Sequence, residues 1–218
     1  NFEKMQLPTG WGVEQQITCV DGSTFQMYMA NMKSIFMDMI KNTDMVIFNR
    51  CKKEDPLPTY RRGIKVANQR AEVIFEDEEG ELGDIFQDEM PFDMNAPVIE
   101  ILPEDYGIWF VDAMDHPENY EGKTVKFKAR VMKPRGMGSK FFVPGRTAMT
   151  CCADDTTFLG YVCKSAYAPK LTPGEWVEVT AKVGIEKRNE YQGEEGIVLD
   201  AEHVEQCDPL EDEMVYFN

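Results

Sequence analysis

Asp44-Met45-Val46-Ile47-Phe48-Asn49-Arg50 is the stretch that decides how the first half of the chain is read. Four consecutive apolar residues between polar ends make a run of strand length, and unbroken apolarity is expected of a strand buried on both faces. Upstream of it, Phe25, Met29, Met32, Phe36 and Met39 recur at intervals of four and three, with Tyr28, Ile35 and Ile40 widening the stripe. That spacing predicts one amphipathic helix over residues 23–42. Before it, Gln16-Ile17-Thr18-Cys19-Val20 runs into Asp21-Gly22, a strand entering a turn. Downstream, Pro56 and Pro58 punctuate a loop, residues 60–68 suit a short helix, and Ala71-Glu72-Val73-Ile74-Phe75 reads as a third strand. Strands alternating with helices imply right-handed crossovers and a parallel sheet, whose ligands bind at the carboxyl ends of the strands. Asp21-Gly22 and Asn49-Arg50 then lie on the functional edge.

The second half changes period. Residues 80–95 are acidic and unperiodic and read as a surface loop, Val98-Ile99-Glu100-Ile101 as a strand, and residues 104–114 as a helix ending near Pro117. Val125, Phe127, Ala129 and Val131 then alternate with Lys126, Lys128 and Arg130, a half-buried strand. A Gly-rich hairpin at 134–140 and further short strands at 141–143, 160–163, 176–183 and 197–204 suggest a small barrel of OB-fold type. The expected class is α/β plus all-β: a partial parallel α/β sheet over 1–103, then a helix and an OB-like β-barrel over 104–218.

Composition restricts the partners. Hydrophobic residues are 43 % and charged residues 28 % of the 218, an ordinary soluble globular balance, with no apolar run long enough for a bilayer and no leader-like start. Acids outnumber bases 39 to 23, for a net charge of −16, so nucleic acid is disfavoured as a partner of the whole chain. Lys126, Lys128, Arg130, Lys133 and Arg135 nevertheless form a local basic stretch near Phe127 and Phe141. Six cysteines in a chain of this length point to reduced thiols and a cytoplasmic protein rather than a disulfide scaffold. Fourteen methionines, mostly at helical spacing, read as flexible core filling.

The order Ile17-Thr18-Cys19-Val20-Asp21, a helix, then Asp44 to Arg50 resembles the later half of the CobW-like (G3E) P-loop GTPases, and the likeness extends from Gly12 to Phe75. In that family the second strand ends in Asn-Lys-x-Asp, whose Asn and Asp hold the guanine base. The resemblance implies nucleotide contacts from Asn49 and Arg50, with Asp21 as a motif residue. The base-reading Asp falls at Lys52, which donates but cannot accept; Asp55, three residues on, is the candidate substitute. No Gly-x-x-x-x-Gly-Lys-Ser/Thr occurs, so the phosphate cradle is missing. Gly122-Lys123-Thr124 imitates its end but leads into an alternating strand. The expectation is a C-terminal piece of a longer protein whose upstream P-loop segment would bind GTP, with a G-domain relic serving as scaffold as the alternative. Phosphoryl transfer by this chain alone has no machinery.

Arg146-Thr-Ala-Met-Thr-Cys151-Cys152-Ala-Asp-Asp155, following Asn119-Tyr120-Glu121-Gly122-Lys123 and preceding Trp176-Val177-Glu178-Val179, resembles the C-terminal domain of the YcgQ family over most of 117–217. The resemblance implies an accessory subunit of a two-component membrane permease. The residues themselves leave two readings open. Cys151, Cys152 and Asp155 could ligate a borderline metal such as zinc. Alternatively the two thiols pack as small apolar groups at a strand end, with Arg146 and Asp155 paired to each other. His116 and His203 stand apart from the thiols and supply no recognisable base. The functional expectation is a non-catalytic module in metal handling or accessory to a permease; the alternative is a protein-interaction scaffold binding neither nucleotide nor metal.

Overall fold

The computed structural model describes residues 7–83, 90–152 and 155–216, with the backbone alone at 151 and 152. It divides into two compact units, the first drawn from residues up to 83 together with 150–156, the second from the remainder. Among the described residues, no helix is long and apolar enough to cross a membrane.

The first unit contains β1 (Ile17–Asp21), α1 (Gly22–Ile40), β2 (Met45–Asn49), α2 (Leu57–Ala67) and β3 (Glu72–Phe75), and the three strands form a parallel sheet in the order β1-β2-β3. The register is unbroken from Ile17 opposite Met45 to Asp21 opposite Asn49. Asp21 starts α1 by capping it: its carboxylate accepts from the Ser23 N–H at 3.0 Å and from the Ser23 hydroxyl at 2.6 Å. Gly22 is needed where the chain turns, because a Cβ there would stand 2.8 Å from Cys51 Sγ and 3.1 Å from the Asn49 carbonyl. Pro56 and Pro58 open α2 rather than lying in a loop before it, as suits proline in a first turn. Asn68 fastens the other end by donating to the Ile40 and Thr43 carbonyls at 2.9 and 2.8 Å.

In a sheet of sequential order, two right-handed crossovers put both helices on one face. The burial agrees. Val20, Val46, Phe48 and Phe75 point into a core with Phe25 and Tyr60, whereas Ile17 is 48 % exposed and Cys19 exposed, with Met45, Ile47 and Ile74 partly buried on the opposite face. The apolar run of β2 is therefore not a strand fully buried on both sides; Met45 and Ile47 stay partly exposed on the face away from α1 and α2. The stripe on α1 also divides. Phe25, Met37 and Ile40 enter the core, while Tyr28, Met32, Ile35 and Met39 are 42, 43, 58 and 54 % exposed. Part of the methionine content is surface, not core filling.

The second unit is built on a closed five-stranded barrel. Its elements are β4 (Ile99–Glu100), α3 (Tyr106–Asp115), β5 (Thr124–Met132), β6 (Phe141–Cys152), β7 (Asp155–Gly160), β8 (Val162–Lys164), β9 (Trp176–Lys187), β10 (Glu195–Gln206) and β11 (Met214–Val215). The barrel runs β5-β6-β8-β10-β9 and closes back on β5, with β8 and β10 parallel and the other pairs antiparallel. This connectivity is consistent with an OB-like barrel. β4 and β11 add short parallel pairings to β5 and β6, and β7 pairs with β6. Val125, Phe127, Ala129 and Val131 are buried inside as the alternation requires. α3 supplies Trp109, 4.8 Å from the Phe127 ring, and Phe110, stacked on Tyr161 at 4.8 Å. Gly122, at φ 78°, makes the turn into β5, so Gly122-Lys123-Thr124 is a strand entry.

Candidate functional site

The carboxyl ends of β1, β2 and β3 bound an open cleft of about 640 Å³, where an α/β sheet places its ligands. Ser23 stands at the first turn of α1; Arg50, Lys52 and Lys53 follow β2; Asp77, Glu78 and Glu79 follow β3. Arg50 takes the left-handed conformation, φ 53°, and its guanidinium lies 2.6 Å from the Asp21 carboxylate. The hydrogen bond from the Ser23 hydroxyl, reinforced by Arg50, holds the Asp21 carboxyl below the usual range. Cys51 also borders the cleft, its N–H donating to the Glu76 carbonyl at 2.9 Å, and burial pushes its thiol up to about 11.

The nucleotide candidates occupy different situations. Asn49 ends β2 with its Oδ1 buried and without a hydrogen-bond partner among the described residues, an open acceptor of a kind that folded proteins rarely leave. Arg50 is engaged by Asp21. Asp55 accepts from the Lys52 N–H at 2.8 Å and so fixes the loop after β2. The cleft thus carries a cationic wall from β2 and an anionic wall from β3.

The Arg146 and Asp155 pairing expected from the motif does not form. Arg146 is 2 % exposed and donates to three backbone carbonyls: Pro103, Asp212 at 3.0 Å and Met214 at 3.1 Å. Its guanidinium also lies 5.6 Å from the Tyr106 ring centre, and burial without a paired carboxylate lowers its pKa. Asp155 instead meets Lys41 Nζ at 2.9 Å, within the first unit. Cys151 and Cys152 end β6, and their side chains lie outside the described residues. Among the described residues, no three His, Cys, Asp or Glu side chains are grouped to hold a metal. His116 and His203 face Glu118 and Glu205 at 3.7 and 3.4 Å on partly or largely exposed ground.

A second cleft lies at the barrel, between the β5–β6 loop and the turn after β9, and includes Arg135, Phe141 and Arg188. Of these, the sequence flags Arg135 and Phe141 through the basic stretch; Arg188, fifty residues on, is brought to them by the barrel closure alone.

The chain belongs to the DUF1980 C-terminal domain family, whose profile matches residues 81–217 and fits the YcgQ-like reading of the second half. No curated protein matches the chain. Solved structures show weak likenesses. The mitochondrial single-stranded DNA-binding protein Rim1 of S. cerevisiae aligns at 10 % identity and a TM-score of 0.25, over 40 % of this chain and 97 % of that one. A deletion mutant of the Thermus aquaticus single-stranded DNA-binding protein aligns at 16 % and 0.24, over 41 % and 42 %. The aspartyl tRNA synthetase of Entamoeba histolytica aligns at 13 % and 0.28, over 54 % and 27 %. Likenesses at these scores carry no argument about ligand or partner.

Proposed function

We propose that the chain is the non-catalytic part of a CobW-like nucleotide-binding protein joined to a YcgQ-type domain, acting in metal handling or as accessory to a membrane permease. The observation that carries this reading is the one-sided sheet. Among the described residues, three parallel strands have helices on one face only, leave Ile17 and Cys19 exposed on the other, and leave the outer edge of β1 without a partner strand. All-parallel sheets occur almost only with both faces covered. An upstream P-loop-bearing α/β segment would cover that face, pair with β1 and bring a phosphate cradle to the cleft beside Asp21 and Asn49. The resemblance of Gly12 to Phe75 to the later half of such GTPases supports that choice of segment.

Calorimetric titration of GTP with magnesium into the gene product extended upstream through a P-loop tests the reading. Stoichiometric binding that Asn49→Ala weakens is the expected result; absence of nucleotide affinity overturns it. For the metal limb, zinc titration of the chain and of a Cys151→Ser/Cys152→Ser variant is decisive, with one equivalent lost in the variant as the expected outcome. A second reading is a protein-interaction scaffold that binds neither nucleotide nor metal. It draws on the Arg50–Asp21 pair and the Asp77–Glu79 wall, which leave the cleft poorly cationic for phosphates.

A further inference from the structure

Charge is unevenly distributed in this acidic chain. Eight Lys and Arg and no Asp or Glu fall between Lys123 and Cys152. Several of those bases are already engaged. Lys126 meets Glu178 at 2.8 Å and Arg130 meets Glu213 at 3.6 Å. Lys133 turns its ammonium to the Ala168 and Leu171 carbonyls, and Arg146 is the buried clamp described above. Arg135 and Lys140, in the loop between β5 and β6, have no carboxylate within ion-pair distance among the described residues, and neither does Lys164, directly opposite Phe141 across β6 and β8. Lys123 and Lys128 stand apart, just before β5 and midway along it, whereas Arg135, Lys140 and Lys164 lie next to Phe141, which lines a cleft of about 580 Å³ together with Arg135.

The cleft is shaped for a planar group as well as an anion. Gly136 and Gly138, at φ 88° and 36°, fold the loop so that Met137 is buried against Val143 and Val162, with Phe141 and Tyr191 packed on the same cluster. Across from it, the Arg188 guanidinium lies 4.2 Å from the Phe141 ring centre. Glu190 holds Arg188 by two hydrogen bonds, at 3.1 and 3.0 Å, which fixes its plane and neutralises its charge. The guanidinium already covers one face of the Phe141 ring, so its own outer face is the plane left for a nucleobase. Arg135 in the cleft lining supplies a phosphate contact, and Lys140 and Lys164, next to Phe141 in sequence and across the strand pair, lie outside that lining.

From this arrangement we infer that the barrel cleft binds a nucleoside phosphate, as a free nucleotide or as a short stretch of single-stranded nucleic acid. The site is small by electrostatic argument. Beyond these three cations the chain is strongly acidic and repels a long polyanion, so contacts are limited to about three phosphates. Three single-strand phosphate contacts give a salt slope of about −2, which is roughly a twenty-fold loss of affinity between 50 and 200 mM salt.

The test uses the full chain with two probes, 5′-AMP followed by NMR line shifts and fluorescein-labelled hexathymidylate followed by anisotropy. Binding of either at 50 mM salt with at least a ten-fold loss in Arg135→Glu supports the site, and the salt slope of about −2 is expected of the hexamer alone, since AMP carries one phosphate. Binding of AMP assigns the free nucleotide as its source, and binding of the hexamer alone assigns the strand. Lys128→Glu makes the same charge change along β5, outside the cleft, and is expected to have at most a two-fold effect. No binding of either probe at 1 mM overturns the inference (a concentration chosen as about the weakest affinity worth assigning), and so does an equal loss in the two variants. Unchanged circular dichroism in Arg135→Glu, an exposed loop position, separates loss of binding from loss of fold.

Discussion

Replacing Arg146 should unfasten the C-terminal segment of the barrel unit. Its guanidinium satisfies the carbonyls of Pro103, Asp212 and Met214, and β11 pairs with β6 at Thr147 and Ala148, immediately after the arginine. Arg146→Ala leaves three acceptors without donors and a void beside Tyr106. Orphaned buried acceptors cost ~1–3 kcal/mol each. Relief from holding a buried cation without a carboxylate partner offsets part of this, as does rehydration of the carbonyls of Asp212 and Met214 once the segment detaches. A net loss of about 3–5 kcal/mol is expected. Urea titration followed by tryptophan emission isolates the barrel, because Trp109 and Trp176 are 1 % and 5 % exposed there while Trp11 is 76 % exposed. Cleavage after Glu211 or Glu213 by a glutamate-specific protease should accelerate in parallel. Arg146→Met, which fills the volume without donating, should lose nearly as much as the alanine variant. A methionine variant as stable as the parent, with unchanged cleavage, would refute the clamp and reduce Arg146 to a tolerated buried charge.

Four further outcomes are expected. Gly22→Ala forces a Cβ against Cys51 Sγ and the Asn49 carbonyl, so the α/β unit should lose about 1–3 kcal/mol by amide exchange of β1 and β2, with partial recovery in Gly22→Ala/Cys51→Ala. Thiol labelling at pH 8 should modify Cys19 quickly, whereas Cys51 and Cys163, both buried with raised pKa values, should react only on unfolding. Because the folded Cys51 pKa lies above its unfolded value of 9.0, the stability linked to this thiol is full below pH 9 and is lost as pH rises towards about 11; a unit more stable at pH 10.5 than at pH 8 would contradict that sign. Ile17→Glu and Ile35→Glu alter positions 48 and 58 % exposed, so each should change the unfolding free energy by no more than about 0.5 kcal/mol in urea titration.

Much of this architecture was legible because period and punctuation agree. The alternation from Val125 to Val131 could be nothing but a half-buried strand, and the run from Met45 to Phe48 marked a strand between two helical stretches. What one sequence does not encode locally is which face of an element meets a neighbour. Tyr28, Met32, Ile35 and Met39 have the same spacing as core residues, and only the one-sided placement of both helices shows that they stay outside. Arg146 illustrates the limit at the site. A cysteine pair with a nearby acid and base suggests an ion pair within the motif, but three carbonyls from distant segments, residues 103, 212 and 214, outcompete Asp155 for the guanidinium. Arg188 was invisible for the same reason: its contact with Phe141 exists only once the barrel has closed.

The two units differ in how completely they satisfy themselves, and that difference bears on function. A closed barrel removes free strand edges. Here it also buries its arginine against backbone acceptors and caps an aromatic interior with α3, so its stability owes little to a partner. Among the described residues, the α/β unit has three strands with helices on one face, exposes large apolar side chains on α1 and leaves an acceptor at Asn49 unfilled. A unit this small buries a smaller fraction of its surface than a larger domain does, so its stability margin is narrow. Any partner that covers Ile17 and Cys19 therefore adds stability to this unit in proportion to the area it buries, about 25 cal/mol per Å². The same partner leaves the barrel unchanged. Hydrogen exchange with and without a binder should show protection gained in β1 and β2 and constant in β5 and β9. Protection rising equally in both units would mean that the one-sided sheet is not the surface that recruits the partner.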